Sequence, residues 1–220
     1  MNETVIRIRE GSMYVEENRN GVISFKSITA ESLLNCINLS ILRGEVNSGM
    51  LPRNCLSYTA YDNGARDVVI MHPENYADIS YFGTVYKNLP WMRCVFGFYI
   101  SKEGKVSNCR LGVIADERPR PTTPMFTYPF GNVSGVTLCI GNNPLPVVKS
   151  LHTMESLTYH LLSLPNNNHS FSPNNNKRGF EQRDLLEYMK DKTPDVYYKE
   201  ILLPRKSTLG DFIARNAKLQ

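Results

Sequence analysis

The chain has 220 residues, of which 41% are hydrophobic and 21% charged, values that indicate a globular protein of one or two domains with its own core. The net charge is +4 at pH 7, but basic residues are interspersed with acidic ones, which argues against a nucleic-acid ligand. The five cysteines lack the paired CxxC spacing of a structural zinc site, so we expect reduced thiols and neither a metal nor a cofactor.

Neither a membrane span nor export is expected. The longest apolar run, residues 94–100, is far shorter than the ~20 residues that a helix needs to cross a bilayer. The first residues lack the basic stretch and apolar segment of a secretion signal. We therefore expect a cytoplasmic protein.

The first fifty residues predict three strands and a helix. Strands are expected over residues 4–9, 13–16 and 22–26, with Asn20-Gly21 as a tight turn. Thr29 is the predicted N-cap of a helix with apolar residues at helical spacing, and Gly44 is its predicted stop. We assign residues 1–50 to a β-β-β-α extension and residues 51–220 to a second domain.

The second domain begins with strands. A strand is expected over residues 67–71, and a hairpin over residues 93–101 and 106–114, which turns at Lys102-Glu103-Gly104. The stretch from Pro119 to Pro129 contains four prolines, which excludes a central strand or a helix interior. We expect it to run extended over a surface.

Helices are expected in the last third of the chain. Apolar periodicity predicts one over residues 154–164 and another over residues 182–189. Residues 165–179 contain Pro-Asn-Asn-Asn twice, which favours a mobile solvent loop, with a lid beside a site as the alternative. Thr208-x-x-Asp211 resembles a capping box and predicts a last helix that runs toward Lys218.

One thiol lies among residues that break regular structure. Cys139 ends a strand-like run over residues 136–140 and is followed by Gly141, Asn142, Asn143 and Pro144. Reactive groups tend to lie on loops that a rigid scaffold positions, so Cys139 is the candidate nucleophile. The alternative is a small buried side chain, the usual fate of a free cysteine.

The residues around Cys139 also carry a resemblance. Arg118 to Val133, followed by Leu138-Cys139-Ile140-Gly141, resembles the active-site region of prokaryotic E2 family D, which includes proteins like the B component of the plasmid-associated PRTRC system. The similarity covers residues 90–170. It implies an α+β fold of the E2/UBC type, an antiparallel β-meander flanked by helices.

The implied activity is that of a ubiquitin-like-protein conjugating enzyme, a transferase that carries a ubiquitin-like protein as a thioester on Cys139. The resemblance implies that a ThiF/E1-like activating enzyme supplies this protein, and that a JAB-type peptidase belongs to the same system. Asn132 matches the asparagine of the general E2 His-Pro-Asn signature. Phe130 and Gly131 stand in place of the histidine and proline, and Asn132 precedes Cys139 by seven residues rather than the usual eight.

A thioester carrier needs an accessible thiolate and a neutral donor near the carbonyl oxygen. Asn132, Asn142 and Asn143 are candidate amide donors, although turn formation is favoured for Asn142 and Asn143. His169, in Asn-Asn-Asn-His-Ser, resembles a histidine element downstream of the family's cysteine. His169 is a further candidate for a catalytic role. The alternative is that it is simply solvated, as a lone histidine in a loop usually is.

Two other functions stay open. A cysteine hydrolase would pair Cys139 with His152, His160 or His169, because such pairs form in space and not in sequence. A non-catalytic E2-like interaction module in a plasmid-associated system would leave Cys139 buried.

Overall fold

A computed structural model describes residues 3–9, 12–41 and 47–214 of the protein. The chain divides into two compact units, Met1–Asn47 and Ser48–Gln220. Every helix of the described residues is too short or too polar to cross a bilayer. The fold is α+β, with antiparallel sheets and a few short helices.

The first unit consists of a three-stranded antiparallel sheet and one helix. Its elements are β1 (Glu3–Arg9), β2 (Ser12–Arg19), β3 (Val22–Ser27) and α1 (Ala30–Ile41). Thr29 Oγ1 accepts a hydrogen bond from Ser32 N at 3.1 Å, which confirms the predicted N-cap. The predicted stop at Gly44 lies outside the described residues.

Over residues 48–214, the second unit contains ten strands and three short helices. The strands are β4 (Cys55–Ala60), β5 (Arg66–His72), β6 (Asn75–Tyr81), β7 (Thr84–Trp91), β8 (Cys94–Ile100), β9 (Val106–Ile114), β10 (Pro124–Phe126), β11 (Val133–Ser134), β12 (Thr137–Leu138) and β13 (Pro204–Thr208). The helices are α2 (Glu155–Leu162), α3 (Gln182–Met189) and α4 (Leu209–Ile213). Two 3-10 turns, Leu151–Met154 and Pro173–Asn175, and a π-helical turn, Tyr197–Ile201, complete the unit.

Strands β4, β5, β8 and β9 form an antiparallel meander, and β12 and β11 extend it beyond β9. The predicted hairpin is confirmed as β8 and β9. The pair β6–β7 forms a separate two-stranded sheet between β5 and β8 in the chain. Neither this pair nor β4 was predicted from the sequence.

Both faces of the main sheet are covered, as the almost fully buried strand β8 requires. The larger core cluster includes Phe96, Leu161 and Leu186, from β8, α2 and α3. The smaller cluster lies on the opposite face of the sheet, because successive side chains of a strand point to opposite faces. It includes Val69 of β5, Val95 of β8 and Phe212 of α4. These two clusters fix the sheet on which the candidate site is built.

The proline-rich stretch runs over the surface as predicted as far as residue 122, but its second half enters the sheet and the core. Strand β10 lies between β9 and β13, and Met125 is fully buried. Tyr128 and Phe130 are buried as well. Prolines tolerate this position because only three residues pair here, in an irregular ladder whose register shifts between Pro124 and Phe126.

The predicted helices are confirmed with small changes at their ends. The first begins as a 3-10 turn at Leu151 and ends at Leu162, and α3 spans Gln182–Met189 as predicted. The capping box is present, because Thr208 Oγ1 accepts from Asp211 N and the Asp211 carboxylate accepts from Thr208 N. The described part of that helix ends at Ile213, and the expected extension toward Lys218 lies outside the described residues.

His72 is buried between β5 and α2, at 1% exposure. The Thr158 hydroxyl uses its hydrogen to donate to Glu155 O. In the 2.9 Å bond between His72 Nδ1 and Thr158 Oγ1, the histidine must therefore be the donor. His72 Nε2 is buried without a hydrogen-bond partner among the described residues. Burial lowers the pKa of His72 to about 4, so the ring is neutral in the folded protein at neutral pH.

This burial predicts a fold that loses stability in mild acid. The unfolded chain binds a proton at His72 below about pH 6.5, whereas the folded chain does not until about pH 4. Protonation of His72 in the unfolded chain should therefore lower the free energy of unfolding by about 2 kcal/mol between pH 8 and pH 5. Urea denaturation at both pH values measures the fall, and His72→Phe should reduce it. An equal fall in both proteins would contradict the assignment to His72.

Candidate functional site

The candidate site is built on the short hairpin β11–β12, which ends immediately before Cys139. The hairpin turns at Gly135, whose φ of +61° favours glycine. Thr137 pairs with Arg110 of β9, and Leu111 N donates to Val136 O at 2.8 Å. These bonds fix the end of the hairpin on the main sheet, and the Cys139 side chain is exposed there.

Asn132 holds the backbone of Cys139. Its carbonyl accepts a hydrogen bond from Cys139 N at 2.7 Å, and its own N–H donates to His169 O at 2.6 Å. The residue has a φ of +66°, a left-handed conformation that asparagine tolerates better than most residues. The side-chain amide donates to Pro165 O over a long 3.4 Å. Asn132 therefore connects the thiol loop to residues 165–169.

The expected solvent loop over residues 165–179 is exposed over most of its length, but two of its asparagines are buried and tie it to the fold. Asn166 is buried, and its N–H donates to Ser80 O at 2.7 Å. Asn176 is also buried, and its side chain exchanges two hydrogen bonds of 2.9 Å with the backbone of Phe180. The Asn176 side chain thus takes the place of a backbone partner, and Asn166 ties the segment to β6 beside the site.

A narrow pocket opens between the thiol loop and α2. Its polar lining comes from Asn132, Cys139 and Asn166, and its apolar lining includes Leu138 and Leu161. The pocket has a volume of about 20 Å3, enough for roughly one water molecule. It cannot enclose a small-molecule substrate, so a group that reaches Cys139 must do so from the surface.

Phe130 and Gly131, which replace the expected histidine and proline, are packed in the core. The ring of Phe130 stacks on Trp91, with centroids 5.2 Å apart and planes at 11°. Gly131 N donates to Gln182 Oε1 at 3.0 Å, and Gln182 opens α3. A side chain at position 131 would meet Asn167 O at 2.0 Å. Packing therefore fixes both residues, Phe130 by its ring contacts and Gly131 by the close approach of Asn167.

Gly131→Ala is expected to destabilise the second unit by at least about 2 kcal/mol, because the new methyl group overlaps a backbone carbonyl that the fold holds in place. For a unit of this size the melting temperature should fall by roughly 4–8 °C. Gly141→Ala is the control, since it introduces strain at a positive φ but meets only Asn143 at 3.9 Å. An equal loss in both variants, measured by calorimetry, would contradict the close-packing argument.

The other thiols of the second unit are in less reactive surroundings. Burial raises the pKa of Cys109 to about 11 and raises that of Cys94 further. Burial also raises the pKa of the half-buried Cys55. A thiolate is the nucleophile, so a raised pKa suppresses reactivity. Cys139 and, in the first unit, Cys36 are the exposed thiols.

The histidines and the remaining asparagines occupy different positions. His152 shares a hydrogen bond with Ser150, and His160 is exposed on α2. His169 touches the site through its backbone carbonyl. Within residues 47–214, no histidine ring is hydrogen-bonded to Cys139. Asn143 caps the turn by donating from Nδ2 to Ile140 O at 2.7 Å, and Asn142 is exposed in the same turn.

Sequence reasoning missed two residues that support the thiol loop. Arg205 of β13 donates to Gly135 O at 2.8 Å and holds the turn of the hairpin. Tyr81 of β6 donates to Asn168 Oδ1 at 2.7 Å and holds the asparagine-rich segment. Both contacts join residues more than 65 positions apart, and no local pattern signals them.

Comparison with protein-family models, curated proteins and solved structures finds no match to this chain. The geometry of the site is therefore the basis for a functional assignment.

Proposed function

We propose that the protein is an E2-like carrier that holds a ubiquitin-like protein as a thioester on Cys139. The observation that carries the proposal is the presentation of this thiol: it is exposed at the end of a braced hairpin, while the other thiols of its unit have raised pKa values. The order of elements, an antiparallel meander, then the cysteine loop, then α2 and α3, is the order expected of an E2/UBC fold.

The chemistry is an exchange between two thioesters. The Cys139 thiolate attacks the carbonyl carbon at the C-terminus of the ubiquitin-like protein, which a ThiF/E1-like enzyme presents as its own thioester. A tetrahedral intermediate forms, the new S–C bond is retained, and the donor cysteine leaves as a thiolate. This exchange is nearly balanced in energy and needs no histidine base once the thiol is deprotonated.

A carrier must also resist hydrolysis. The pocket beside Cys139 has room for roughly one water molecule. No histidine ring of residues 47–214 is hydrogen-bonded to the sulfur, so the Cys-His pair of a hydrolase is not formed. This arrangement favours a stable thioester over a cysteine hydrolase. The exposure of Cys139 favours a carrier over an interaction module with a buried thiol.

The proposal extends to partners and context. The carrier would act in the cytoplasm with a ubiquitin-like protein and an activating enzyme, and a JAB-type peptidase would remove the conjugated protein.

The test uses an activated probe. Ubiquitin bearing a C-terminal mercaptoethanesulfonate thioester, and a short peptide thioester ending in Gly-Gly, are incubated with the protein. We expect a covalent adduct on non-reducing gels that dithiothreitol removes and that mass mapping assigns to Cys139. Release of free ubiquitin with turnover and without an adduct would indicate a hydrolase and contradict the proposal.

A further inference from the structure

The tip of the β6–β7 hairpin has an unusual residue for its backbone conformation. Tyr81 pairs with Thr84, and the two residues between them, Phe82 and Gly83, have φ values of +44° and +78°. Turns with two positive φ values favour Asn-Gly, and a bulky aromatic residue at the first position is a rare outlier. Residues held in such conformations cluster at functional sites.

Phe82 also exposes its ring. It is 62% exposed, and Val85, which follows the turn, is 54% exposed. We call these two residues the hairpin patch. A polar residue would suit both the turn and the solvent better than phenylalanine does, so neither folding nor solubility explains it. An exposed aromatic ring that the fold keeps in a strained turn indicates a surface that a partner covers.

The patch adjoins the candidate site. Ser80 and Tyr81, which precede Phe82, hold the asparagine-rich segment through Asn166 N and Asn168 Oδ1, each at 2.7 Å. Asn166 lines the pocket of Cys139. The Tyr81 and Phe82 rings lie 4.8 Å apart. A protein attached to Cys139 would therefore lie next to the hairpin.

We propose that the hairpin patch docks the folded body of the ubiquitin-like protein carried on Cys139; this inference rests on the proposed function. The carried protein is the favoured occupant because it alone is bonded to the thiol beside the patch. Charge adds to its description: the Arg183 guanidinium lies 5.2 Å from the Tyr81 ring centroid, and Glu187, the carboxylate with which it interacts on the same helix, is paired with Lys190. The surface beside the hairpin is therefore net positive. The partner surface should have an apolar pocket for Phe82 with a carboxylate at its rim.

The experiment compares two acyl donors on two variants. Phe82→Asn removes the ring and suits the positive φ. Phe25→Asn is the matched control, because Phe25 is 66% exposed in the first unit. Both are made with Cys36→Ser, so that Cys139 is the exposed thiol that reacts. The probes are ubiquitin mercaptoethanesulfonate thioester below saturation and the Gly-Gly peptide thioester, which has no folded body.

We expect Phe82→Asn to slow acyl transfer from the ubiquitin thioester about tenfold, the usual effect of one anchoring aromatic side chain. Transfer from the peptide thioester should stay within about twofold, and the melting temperature should not fall, because the turn is relieved of strain. Phe25→Asn should change neither rate. Equal slowing with both probes would mean that the substitution disturbs the thiol loop, and it would overturn the docking inference. Unchanged rates with both probes would overturn it too. If unmodified Cys139 accepts neither acyl group, the proposed function itself fails.

Discussion

Cys139→Ala is expected to abolish the dithiothreitol-sensitive adduct with ubiquitin thioester and with peptide thioester alike. The variant lacks the nucleophile, and the buried Cys94 and Cys109 cannot replace it because burial raises the pKa of both thiols. The loss should be complete within detection, on the order of 10³-fold or more in rate. Cys139→Ser should form an oxygen ester slowly, and that ester should resist dithiothreitol.

Cys36→Ala is the matched control for this loss, because Cys36 is also exposed but lies in the first unit. It should leave the adduct and its lifetime unchanged. Native alkylation followed by mass mapping gives an independent readout, in which Cys139 should react at least as fast as Cys36 and well before Cys94. Persistence of the adduct in Cys139→Ala, or protection of Cys139 from alkylation, would remove the basis of the proposed site.

The elements that the sequence predicts correctly are those with a strong local signal. Helix α3 has apolar residues at helical spacing, and the β8–β9 hairpin has apolar strands around a Lys-Glu-Gly turn. The hairpin β6–β7 lacks such a signal, because polar residues interrupt both strands and its turn begins with Phe82. Its strands are recognisable from pairing and burial, which are properties of the folded chain.

The candidate site likewise has one part with a local sequence signal and one part without. The breakers after Cys139 predict an exposed thiol at a chain reversal, and the thiol is exposed. The support for that thiol could not be predicted, because it consists of backbone hydrogen bonds between Asn132 and distant residues. The asparagine-rich segment was expected to be solvated on composition. Most of the segment is exposed, but the buried Asn176 bonds to backbone groups, a role that composition alone does not distinguish from solvation.

Asn132→Ala is expected to accept an acyl group at close to the normal rate but to transfer it to lysine on the order of 10²–10³ more slowly, the usual loss for one oxyanion donor. In the proposed function, loading exchanges one thioester for another, and the activating enzyme would supply part of the environment. Attack by an amine builds charge on the carbonyl oxygen at a site that this protein must provide. Asn132 lines the same pocket as Cys139, and its amide bond to Pro165 O is long at 3.4 Å, so we expect the amide to turn toward that oxygen.

A second contribution of Asn132 is to the backbone, and two further variants separate the two roles. Alanine at a φ of +66° adds strain of about 1–2 kcal/mol, whereas glycine does not, and aspartate keeps the shape of the side chain but loses the N–H donor. If the amide acts on the oxyanion, the alanine, glycine and aspartate variants should all discharge slowly. Single-turnover discharge to free lysine on non-reducing gels, with melting temperatures measured in parallel, makes the comparison. If Asn132→Gly discharged at the normal rate, the slow step in Asn132→Ala would come from strain in the thiol loop, and the donor would have to be sought at Asn142, Asn143 or His169.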